Sequence, residues 1–191
     1  MPVKYCKILP CVAFAGVMSL AVTCNNVQAA DATAAPALYS QLENFHGHVC
    51  AGSIFGARLG LAAKEALKAA GGTGKFTARY YDLSCPVDGI QVAAGTTYGN
   101  KALTVQDRDE HRLVLTAEGN KRSVEVQLTK KAEEMGLRSR ELGYKVKALS
   151  ANATEKAALE REVEEIYNWL KTAPVDDVVI VTMLNSKKDN R

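Results

Sequence analysis

The twenty residues from Ala51 to Ala70 leave the chain little choice of conformation. Ile54, Leu59, Leu61, Ala62, Ala66 and Leu67 recur on one side at helical spacing, and Gly71-Gly72 stops the helix. Strand signals follow at once. Phe76 to Leu83 sets Phe76, Ala78 and Tyr80 against Thr77, Arg79 and Tyr81, the alternation of a half-buried strand. A second helix opens at Pro86, whose fixed φ suits the first helical position, and runs through Ile90, Val92 and Ala93 to Gly95.

Three further strands are expected at 102–106, 112–117 and 123–128, with Glu118-Gly119-Asn120 turning a hairpin between the last two. Helices are expected at 130–149 and 154–171, the latter with Thr154 as N-cap and a stripe of Leu159, Val163, Ile166, Tyr167 and Leu170. Val178 to Leu184 is a dense β-branched run suited to a buried strand, and residues 38–44 suit a short helical turn. Helices and strands mix without regular βαβ alternation, which predicts an α+β fold: a mixed or antiparallel sheet with packed helices. With 47% apolar and 24% charged residues, the composition is that of an ordered globular chain.

The amino end sets the expected compartment. Lys4 and Lys7 precede an apolar run from Ile8 to Val22, then a polar Thr23-Cys24-Asn25-Asn26 and a small-x-small Val27-Gln28-Ala29. This is the order of a secretory signal peptide over residues 1–30, cut after Ala29 or Ala30. The run is shorter than the roughly 20 apolar residues of a membrane span. Lipidation on Cys24 is the lesser alternative, because Thr23 is bulkier and more polar than that signal prefers. The mature chain is therefore expected to be periplasmic or secreted and off the membrane, with a flexible leader at 31–37 and one domain over 38–191. Losing Lys4 and Lys7 lowers the net charge from +3 to +1, too little for a nucleic-acid partner.

Export also reduces the five cysteines to Cys50 and Cys85, and two thiols in an oxidising compartment first suggest one disulfide. The competing reading is chemical. His46, His48 and Cys50 alternate directly before the 51–70 helix; if extended, they project from one face. Imidazole and thiolate together suit Zn²⁺ or another borderline transition metal. Cys50 also stands at a helix start, where the dipole and free N–H groups favour a thiolate. Cys85 precedes the helix at Pro86, with Asp88 in its first turn. Gln91 and the loop Gly95-Thr96-Thr97-Tyr98-Gly99 could line the same cleft. His111, among Asp107, Asp109 and Glu110, reads as a solvated loop residue.

The ordered segments Phe45-His46-Gly47-His48-Val49-Cys50-Ala51-Gly52, Cys85-Pro86-Val87-Asp88-Gly89-Ile90-Gln91 and Gly95-Thr96-Thr97-Tyr98-Gly99-Asn100 resemble the FmdE family of formylmethanofuran dehydrogenase components over about residues 40–130. The resemblance implies a single FmdE-like α+β domain with a His, Cys and Asp cleft, metal binding in at least some members, and homodimeric association. His46, His48 and Cys50 correspond to its first motif; Cys85, Asp88 and Gln91 correspond to its second. Ala51 replaces a frequent proline, and no cysteine follows Cys85, so the zinc module of longer members is missing.

Two functions are expected from these residues. The first is an exported accessory or metal-handling protein holding a metal, most readily zinc, through His46, His48, Cys50 and Cys85. The second is an enzyme with Cys50 or a metal-bound water as nucleophile and His48 or Asp88 as base, acting on a small molecule.

Overall fold

A computed structural model of the chain describes residues 36–148 and 152–184. The expected signal peptide, Cys24, the cleavage point and residues 31–35 lie outside the described residues. Helix α1 (Pro36–His46) begins two residues inside the expected leader and continues past the single turn anticipated there. It is followed by α2 (Ala51–Ala69), β1 (Phe76–Tyr81), α3 (Pro86–Ala94), β2 (Leu103–Val105), β3 (Glu110–Ala117), β4 (Arg122–Leu128), α4 (Lys130–Ala148), α5 (Ala153–Thr172), the single turn α6 (Val175–Val178) and β5 (Val179–Leu184). The α+β expectation holds.

The strands form a mixed sheet in the order β2-β1-β3-β4-β5. Only β1 and β2 pair in parallel, across the α3 connection; the other pairs are antiparallel. Alternation decides the inner face. Ala78 and Tyr80, Leu113 and Leu115, and Val124 and Val126 all point inward and are buried with Ile54, Leu59 and Leu67 of α2. The β3–β4 hairpin turns at the predicted residues.

Two local expectations fail. The β-branched run of β5 is an edge strand with one neighbour, β4, so only one side of it packs; Ile180 and Met183 are exposed. The N-cap of α5 is Asn152, whose side chain accepts from the Glu155 N–H at 3.1 Å, while Thr154 lies within the helix. A cap must be extended and sit before the first helical residue. Asn152 meets both conditions.

The contact that positions the functional residues is between α2 and α3. A Cβ on Gly56 would lie 1.9 Å from the Pro86 carbonyl oxygen, and one on Gly89 would lie 2.2 Å from the Ser53 oxygen. The two backbones touch, which only glycine permits. This brings the N-termini of both helices, and so Cys50 and Cys85, side by side.

Candidate metal centre

His46, His48 and Cys50 do meet, but not as an extended segment. His46 is the last residue of α1, Gly47 reverses the chain at φ +86°, and Cys50 is the extended N-cap of α2. A positive φ at Gly47 costs little because glycine has no Cβ to clash. One donor atom from each of the three residues lies within 4.8 Å of the others. The imidazole rings are 4.7 Å apart, and His46 Nε2 is 4.0 Å from Cys50 Sγ. Tetrahedral zinc with these ligands keeps them roughly 3.5 Å apart. Two imidazole nitrogens and a sulfur therefore fit a borderline metal with a small inward adjustment.

Cys50 is held at both ends. Its Sγ accepts the Ser53 N–H at 3.4 Å, and its own N–H donates to Ser53 Oγ at 3.0 Å, a reciprocal capping box. His46 is held from behind. Its Nδ1 lies 2.6 Å from Asp88 Oδ2 on α3; Asp88 Oδ1 accepts from Gln91 Nε2 at 3.2 Å; Gln91 Oε1 accepts the Tyr98 N–H at 3.0 Å. With its proton on Nδ1 and bonded to Asp88, His46 presents the Nε2 lone pair towards Cys50. A carboxylate behind a ligating histidine fixes its tautomer and raises its basicity. The structure therefore places Asp88 as the partner of His46, and Gln91 with the 95–99 loop does border the same cleft.

Cys85 sits next to Cys50, outside the tight group of three. A Cβ on Gly52 would lie 2.9 Å from Cys85 Cβ and 3.9 Å from Cys50 Sγ. Both thiols are free. Burial pushes the Cys85 thiol up, and a Cys50 thiolate beside it pushes it further.

Behind the two thiols lies a cavity of about 370 Å³ whose wall includes Phe55, His111, Arg140 and Tyr167. His111 is not the solvated loop residue the sequence suggests. It belongs to β3, half-buried, with Nδ1 at 3.0 Å from the Tyr80 hydroxyl and 3.5 Å from Asp82 Oδ2, while Ser84 Oγ donates to the same carboxylate oxygen. A register shift between Tyr80 and Tyr81 opens the sheet at this point. The signal was present in the alternation: 111 has the parity of the buried Leu113, Leu115 and Ala117. Tyr167 faces the same cavity, its hydroxyl pKa raised by burial and then by the charge of Cys50.

The family model described as "FmdE, Molybdenum formylmethanofuran dehydrogenase operon" matches residues 45–180. The chain belongs to the FmdE family. Among solved structures, this FmdE domain is similar to an FmdE-like protein of a tungsten formylmethanofuran dehydrogenase from Syntrophus aciditrophicus. The TM-score is 0.51 at 21% identity, covering 78% of this chain and 73% of that one. At that identity the likeness speaks for the fold. No curated protein matches the chain.

Proposed function

We propose that this FmdE domain is an exported, homodimeric metal-binding protein with an accessory or metal-handling role. Its ion, most readily Zn²⁺, is held by His46, His48 and Cys50, with Cys85 completing the set. The observation that carries this reading is the 2.6 Å contact between His46 Nδ1 and Asp88, which turns the opposite nitrogen towards Cys50 and His48. Thiolate plus imidazole selects zinc over hard oxygen-loving cations. Metal analysis of the purified protein, reconstituted with Zn²⁺, Ni²⁺ or Fe²⁺, tests it. One ion per chain is expected, lost in Cys50→Ser and in a His46→Ala/His48→Ala double variant. Failure of every ion to reach stoichiometry sinks the proposal.

A second reading has an observation of its own. Cys50 Sγ, His46 Nε2 and Nδ1, and Asp88 Oδ2 lie in sequence at 4.0 and 2.6 Å, the order of a thiol nucleophile, its base and the group that orients it. Here Asp88 would orient and His46 would accept the proton. Covalent labelling of Cys50 by a substrate-like electrophile in metal-free protein, abolished by His46→Ala but kept in His48→Ala, would favour it. Mass spectrometry of unreduced protein decides the disulfide alternative, since a Cys50–Cys85 bond lowers the mass by two hydrogens.

A further inference from the structure

The cavity behind Cys50 and Cys85 has a charge pattern that the metal reading leaves unused. One wall is a face of α4 on which Glu133, Gly136, Leu137 and Arg140 follow at helical spacing. Arg138, on another face, is bonded to Glu162. Among the described residues, neither the Arg140 guanidinium nor the Glu133 carboxylate has a side-chain hydrogen bond or ion pair. They stand two turns apart, about 10 Å along the helix axis. Between them Gly136 lets the Phe55 ring come close: a Cβ there would lie 2.4 Å from Phe55 Cζ. Leu137, an exposed large apolar residue, covers the rim. The wall thus reads, along α4, acid, apolar floor, base.

We propose that this cavity binds a small zwitterion of the amino-acid or dipeptide class. Its carboxylate lies on Arg140, its ammonium turns towards Glu133, and its side chain rests on Phe55 and Leu137. Arginine presents a planar fork matched to a carboxylate, and both charged groups here are free to take a ligand. A dicarboxylate would set its second charge against Glu133, and a diamine would set one against Arg140, so the pair selects by repulsion as well as attraction. The volume is within the range of pockets for small organic ligands. The bound molecule would lie against both thiols, since Cys50 and Cys85 form the opposite wall. The inference stands on the cavity and does not require the metal.

Calorimetric titration of the full mature protein, metal-free and zinc-loaded, with L-leucine and glycyl-L-leucine tests it. Leucinamide, which lacks the carboxylate, and N-acetyl-leucine, which lacks the ammonium, are the controls. At least one zwitterion should bind, and each control should bind at least tenfold more weakly. Arg140→Gln should weaken the zwitterion at least tenfold, and Glu133→Gln should erase the preference over N-acetyl-leucine. Both residues are exposed, so an unchanged melting temperature certifies the fold. The bound zwitterion should also slow iodoacetamide modification of Cys85 in the metal-free protein. Absence of binding by both zwitterions at millimolar concentration, or binding unchanged in Arg140→Gln, overturns the proposal. Metal stoichiometry, measured on the same samples, reports separately on the metal reading.

Discussion

Asp88 touches no exposed chemistry of its own, yet the geometry makes it the residue on which His46 depends. Asp88→Asn keeps the shape but loses the charge that holds the Nδ1 proton. Metal affinity should fall about 10- to 100-fold, with one ion still bound at saturation. Competition with a chromophoric chelator measures this, and an unchanged affinity would remove Asp88 from the site. The thiols should differ as well. Burial and a neighbouring thiolate both disfavour the charged form of Cys85, so its thiolate appears only above the ordinary thiol range. In metal-free, reduced protein at neutral pH, iodoacetamide should therefore modify Cys50 first. Cys85 should gain reactivity at higher pH than an ordinary thiol, and bound metal should protect Cys50. Peptide mapping after brief alkylation reads the order; Cys85 reacting first would reverse the assignment.

At the scale of elements, the site depends on how tightly α2 and α3 approach. Adding a methyl group at Gly56 or Gly89 drives it into backbone of the other helix. Overpacking of this kind commonly costs about 1–3 kcal/mol. Gly56→Ala should lower stability by at least that much in urea unfolding, and should also weaken the metal by moving Asp88 and Cys85 away from Cys50. A destabilised variant with full metal affinity would show that the helix contact serves the fold alone. A second element-level device is Arg58 on α2, which is buried. It donates to the Lys171 carbonyl at 3.1 Å and the Ala173 carbonyl at 2.5 Å, covering the C-terminal end of α5. A cation at that end also meets the negative pole of the helix. Arg58→Met leaves those carbonyls without their donor, and a loss of about 1–3 kcal/mol is expected in the same assay.

For the whole molecule, light scattering of the mature protein at micromolar concentration should report about twice the monomer mass; a monomer would overturn the dimer. The edge strand β5, with Ile180 and Met183 exposed, leaves backbone groups and apolar surface open to a partner.

Much of this molecule was legible in the sequence because the signals are local. Helical spacing in Ala51–Ala69, Pro86 at a helix start, the alternation in β1 and the turn at Glu118-Gly119-Asn120 each involve neighbours along the chain. The scarcity of His and Cys likewise marked His46, His48, Cys50 and Cys85 before any fold was known. What the sequence left open depends on partners far away in it. The register shift at Tyr80 that sets His111 into a cavity, the edge position of β5 and the union of Cys50 with Cys85 are such cases. Residue type and spacing say which face of an element is apolar, but not which other element will cover it. Here two glycines let α2 and α3 touch, and that contact, made between residues far apart in the chain, decides which side chains share a site.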